Sequence, residues 1–77
     1  MNQAILFNDD LTFNKGKQAW TFSGLIAGNK IYITIISSKY KENDEISSNT
    51  VFDWEEAVED WLEDNEPNEN HEIQLHI

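Results

Sequence analysis

Residues 19–36 read AWTFSGLIAGNKIYITII, and most of the fold is decided there. Two runs rich in β-branched and aromatic residues flank Gly28-Asn29, a dipeptide favoured in two-residue hairpin loops. With that pair as the loop, Gly28 takes a positive φ, and Ile26 faces Ile31, Gly24 faces Ile33, Phe22 faces Ile35 and Trp20 faces Ser37. Side chains alternate across a strand, so Trp20, Phe22, Ile26, Ile31, Ile33 and Ile35 share one apolar face that belongs against the core. The opposite face, from Ala19, Thr21, Ser23 and Leu25 to Tyr32, Thr34 and Ile36, is mixed and at most partly covered.

Working outward, Gln3 to Asn8 is a short apolar run that predicts a first strand, closed by the turn residues Asn8-Asp9-Asp10. Asn14-Lys15-Gly16-Lys17 is a polar turn. Ser37 to Thr50 has only Tyr40 and Ile46 as apolar anchors and predicts a loop. Beyond it, Val51, Trp54, Ala57, Val58, Trp61 and Leu62 recur at helical spacing. The stripe Trp54, Val58, Trp61 and Leu62 is expected to be core. Thr50 with Asp53, or Asp53 with Glu56, can cap the start of that helix. It must end before Pro67, with Asn65 as a C-terminal cap. Glu72 to Ile77 alternates apolar and polar residues, as a half-buried closing strand does. The expected architecture is α+β: one domain over residues 1–77, an antiparallel sheet of three to four strands in the order β-β-β-α-β, and one amphipathic helix packed on one face.

Composition narrows the function classes. A chain of 77 residues buries only about 60–65% of its unfolded surface, and without cysteine it has no disulfide or thiolate metal site to staple it. The run Ala4 to Phe7 is too short for a signal-peptide core, and no stretch approaches the roughly 20 apolar residues of a membrane span, so the expected location is the cytoplasm. Charge is divided sharply. Through Lys41 the chain carries five lysines against Asp9 and Asp10, whereas from Glu42 onward there are thirteen acidic residues and no lysine or arginine, within a formal net charge of −10. Proteins that grip phosphates or anionic membranes do so with Lys and Arg, so direct nucleic-acid and membrane binding are not expected. The expected partner is a basic protein surface.

Some residues resemble a family of small bacterial proteins, the domain of unknown function numbered fourteen-eighty-eight. Met1-Asn2-Gln3 with Ile5 and Phe7 resembles its first strand, and Phe22, Gly28, Ile31 and Ile35 its central hairpin. Phe52-Asp53, Glu55-Glu56 and Glu59 resemble the start of its C-terminal helix, and Asn70 to Leu75 its last strand. The family usually has a further helix where this chain has only Ser37 to Thr50. The resemblance implies a fold and a bacterial or phage setting, and no activity.

Seven acidic side chains fall in the helix: Asp53, Glu55, Glu56, Glu59, Asp60, Glu63 and Asp64. A solvated polar face is the plain reading, but it does not account for the sign. Glu55 with Glu59, Glu56 with Asp60, Glu59 with Glu63 and Asp60 with Asp64 are like-charge pairs one turn apart, each costing roughly 0.2–0.5 kcal/mol. Glu63 and Asp64 also face the negative end of the helix dipole. Seven charges over twelve helical residues place one per roughly 2.6 Å, between the phosphate spacings of duplex and single-stranded nucleic acid.

Catalysis is not expected from these carboxylates, because acid–base pairs need environments that split their pKa values. The segment Asp64 to Asn70 is oxygen-rich, but Glu69 stands where a calcium loop needs glycine, and Leu75 where it needs glutamate. His71 and His76, five apart on a strand, point to opposite faces. No cofactor or metal is implied. The expectation is a non-catalytic acidic inhibitor or modulator that docks a phosphate-mimicking helix on a nucleic-acid-binding protein, of the kind phages and mobile elements direct at host defence, such as an anti-CRISPR protein. The competing expectation is a host-encoded cytoplasmic accessory protein acting by protein contact or homodimerisation through the sheet.

Overall fold

The computed structural model describes residues 4–77. It is α+β, with strands β1 (Ile5–Phe7), β2 (Thr12–Asn14), β3 (Ala19–Ile26) and β4 (Asn29–Ile36), helix α1 (Ser48–Asp64) and strand β5 (Glu72–His76). The five strands form one open sheet in the order β1-β3-β4-β5, with β2 also on β3. The helix lies on one face of it.

The hairpin β3–β4 forms around Ala27-Gly28, one residue earlier than Gly28-Asn29. Both loop residues have positive φ, 51° at Ala27 and 81° at Gly28, as a type I′ turn requires. Trp20 therefore pairs with Ile35, Phe22 with Ile33, Gly24 with Ile31 and Ile26 with Asn29. Every partner moves by two residues, and because the side-chain period is also two, no residue changes face. This register sets Trp20 beside Ile35 instead of Ser37. The added apolar pairing offsets a left-handed alanine, which costs about 1–2 kcal/mol. Trp20, Phe22, Ile31, Ile33 and Ile35 are buried as expected, while Ile26, at the turn, is only half-buried.

β1 and β2 are two pieces of one edge. β1 pairs antiparallel with the end of β3 (Ile5 with Ile26, Phe7 with Gly24), and β2 with its beginning (Thr12 with Thr21, Asn14 with Ala19). Residues 8–11 bulge between them. Of the expected first strand Gln3 to Asn8, Gln3 lies outside the described residues. Strand β2 is an addition to the expected order. Gly24 is where the edge comes closest: a Cβ there would stand 2.9 Å from the Leu6 carbonyl oxygen and 2.9 Å from Ile5 Cδ1.

The sheet is mixed, not antiparallel throughout. β5 runs parallel to β4, with Ile33 beside Ile73 and Ile35 beside Leu75. Parallel neighbours need a long crossover, and α1 supplies it. Its 17 residues span about 26 Å, matching the roughly 26 Å of an eight-residue strand, so the chain returns to the start of β4 before pairing again.

The helix begins earlier than either cap considered from sequence. Ser47 is the N-cap, and its Oγ accepts a hydrogen bond from the Thr50 N–H at 3.2 Å. Ile46 and Val51 hold the two positions of a hydrophobic staple around it. Ile46 packs on the core, and the Tyr40 hydroxyl lies 3.4 Å from Thr50 Oγ1. Asn65 closes the helix as expected, its Nδ2 donating to the Trp61 carbonyl at 2.8 Å.

Trp54, Val58 and Leu62 are buried against the hairpin face and Ile73. Trp61 is half-buried at the margin of the core. The indole of Trp20 meets Trp54 at 6.3 Å between centroids, Tyr40 meets Trp54 edge-on at 6.0 Å, and Trp20 Nε1 donates to the Tyr40 carbonyl at 3.4 Å. Aromatic contacts thus tie the 37–47 loop to both layers.

Candidate functional site

Burial of one stripe of α1 dictates where its acids go. With Trp54, Val58 and Leu62 turned to the sheet, Asp53, Glu56, Glu59, Asp60, Glu63 and Asp64 are all exposed. Six of the seven expected residues therefore form one outward surface along the helix. None of them meets a counter-ion among the described residues, where the one ion pair joins Lys15 Nζ to Glu42 Oε2 at 3.2 Å. The other lysine contacts also lie off the helix: Lys30 sits over the Tyr32 ring and Lys39 over the Tyr40 ring, each 5.4 Å from the centroid. The first turn of α1, where the dipole favours anions, contains no acid, and the last turn no base. The repulsion expected from the sequence is thus not relieved by the fold.

Glu55 departs from the expectation that all seven point outward. It is half-buried on the flank of the helix that faces the 8–11 bulge. Its carboxyl is held above the usual carboxylate range, first by burial, then by Glu59, then by Asp9. The bulge is locked by polar contacts. The Ser23 N–H donates to Asp10 Oδ1 at 2.9 Å, and the Ser23 hydroxyl donates to the other Asp10 oxygen. Asn8 N donates to the Ser23 carbonyl at 2.8 Å, and Asn8 Nδ2 to Ser23 Oγ at 2.9 Å. With Asp10 committed to Ser23, Asp9 stands beside the helix with no hydrogen-bond or ion-pair partner among the described residues.

Sequence reasoning missed two members of this surface. Asp9 read only as turn chemistry, and nothing local tells that the bulge lies against α1. Phe52 is 59% exposed near the start of the acidic surface. It stands off the stripe that begins at Trp54, and that mismatch was the available signal.

The segment after the helix is a polar turn organised by Asn68. Its Oδ1 accepts from Asn70 N at 2.9 Å and from Glu72 N at 3.0 Å, which uses the oxygen that a cation would need. Among the described residues no three His, Asp or Glu side chains come together in a way that can hold a metal ion, and no helix is long and apolar enough to cross a membrane. Family models, characterised proteins and solved structures give no match to this chain.

Proposed function

We propose that the protein is a non-catalytic inhibitor or modulator that docks the outer surface of α1 into a basic groove of a nucleic-acid-binding protein, in place of a phosphate backbone. The reading rests on one observation: a run of exposed carboxylates with no counter-ion among the described residues, in a domain too small to carry idle repulsion. The exposed Phe52 beside those charges adds an apolar contact of the kind that anchors interfaces. Such a protein acts in the cytoplasm, where its targets are. A phage or mobile-element protein directed at a host defence complex, such as an anti-CRISPR protein, fits this chemistry. The test is affinity for the captured partner as a function of salt. Docking of this kind is steered by charge and weakens steeply from low to physiological ionic strength; a salt-independent affinity contradicts it.

One observation favours a second reading, a host accessory protein of the uncharacterised family resembled above that acts by self-association. Leu6, Leu25 and Tyr32 are exposed at 72%, 36% and 51% on the sheet face that α1 leaves uncovered. Sedimentation of wild type beside Leu6→Ser separates the readings: a dimer that the substitution dissociates supports self-association, and a monomer removes it.

A further inference from the structure

Between the 8–11 bulge and the start of α1 lies a pocket of about 250 Å³. Half of its lining is apolar, Phe7 and Leu11 from the edge of the sheet, Phe22 from β3 and Val51 from the helix, and half is polar, Asn8, Asp9, Asp10 and Glu55. Asp9 and Glu55 stand among its lining residues, and neither receives a hydrogen bond or an ion pair from the described residues. Asp10 also lines it, but its oxygens are engaged by Ser23.

The combination selects its occupant. The volume is below the roughly 300–1,000 Å³ of small-molecule sites, and Asp9 and Glu55 are only two unengaged carboxylates, short of the three metal-ligating side chains that come together nowhere among the described residues. What fits is a long aliphatic stem ending in a positive charge. A guanidinium suits better than an ammonium, because it is weakly hydrated, stacks on aromatic rings such as that of the half-buried Phe7, and can bridge two carboxylates. We propose that this pocket receives an arginine side chain of the basic partner, with its stem against Phe7, Leu11 and Val51 and its guanidinium between Asp9 and Glu55. The inference rests on the docking reading above and gives it a fixed point. A groove of positive charge would otherwise slide along an even track of carboxylates; one seated arginine sets the register. It also explains why Glu55 is turned into a partly desolvated site beside two other acids, an arrangement unfavourable until a cation arrives.

The test uses hexa-arginine and hexa-lysine peptides, titrated calorimetrically into the whole protein at low salt. Two variants remove the same charge from different places: Asp9→Asn with Glu55→Gln at the pocket, and Glu56→Gln with Asp60→Asn on the outer surface. All four changes are nearly isosteric and lessen repulsion, and indole fluorescence verifies folding. The pocket pair is expected to weaken hexa-arginine binding by about tenfold or more, the outer pair by less than about threefold, with amide shifts at Phe7, Leu11 and Val51. Equal weakening by the two pairs overturns the pocket and leaves the docking reading standing. Hexa-lysine binding that is as tight, and as sensitive to the pocket pair, overturns the arginine assignment. No binding of either peptide to the wild type removes the docking reading and the pocket together.

Discussion

Glu59 has Glu55 one turn before it and Glu63 one turn after it, so Glu59→Lys reverses two interactions with one change. Each exposed like-charge pair costs roughly 0.2–0.5 kcal/mol, and an opposite pair gains a similar amount. Replacing two repulsions with two attractions is worth about 0.8–2 kcal/mol before losses. Ordering a surface lysine and screening by solvent take back part of that, leaving about 1 kcal/mol. For a domain of this size the melting temperature should rise by about 4–8 °C. Melting is followed by tryptophan fluorescence, since Trp54 is buried in the core against Trp20. In about 0.01 M salt the Debye length is roughly 30 Å and the gain is full; in about 1 M it is roughly 3 Å and the gain should nearly vanish. Partner affinity should fall in the same variant, so stability and binding move in opposite directions. An unchanged or lower melting temperature at low salt refutes the premise that the acidic surface is held at a cost to folding.

Three further outcomes follow from local geometry. Ala27→Asn places a residue tolerant of positive φ at the first turn position, where φ is 51°, and should stabilise by about 1 kcal/mol in urea unfolding. Ser47→Ala removes the cap on Thr50 N and should destabilise by about 1 kcal/mol, while Asp53→Ala, off the cap, should not. Because the folded carboxyl of Glu55 titrates above its unfolded value, the folded state binds the proton more tightly, and stability from this group is present below the ordinary glutamate pKa of about 4.3 and lost as pH rises through the folded value. The charged groups acting on it, Glu59 and Asp9, are both acidic. Glu55→Gln should therefore flatten the decline above that pH in denaturant titrations; an unaltered pH profile contradicts the assignment.

What was legible in the sequence follows from periodicity. The faces of β3 and β4 could be read from alternation alone, and they survived a one-residue error in the loop because the resulting two-residue slip in pairing equals the period. The helix stripe from Trp54 was legible for the same reason, and so was the outward placing of six of its acids. Harder to read were features set by distant contacts. Thr12–Asn14 has no alternation long enough to mark a strand and is ordered by pairing with Thr21 to Ala19 on β3. The direction of β5 depends on where a helix of a given length delivers the chain, which no local pattern of Glu72 to Ile77 records. The cap at Ser47 was legible in principle, since Ile46 and Val51 flank it as a staple, but several capping residues compete between Ser47 and Thr50. The pocket beside Glu55 was not legible, because it joins residues more than forty positions apart.

The central claim is that α1 occupies a place meant for phosphate. The direct test is displacement. The partner is captured with the immobilised chain, purified, loaded with a fluorescent nucleic acid, and titrated with wild type or with Glu55→Lys, Glu59→Lys, Glu63→Lys combined. Wild type should release the nucleic acid in a salt-dependent manner, and the triple variant, folded at least as well, should not. A ternary complex that keeps its nucleic acid, or equal release by the triple variant, contradicts the claim and returns the acidic surface to a solvated one.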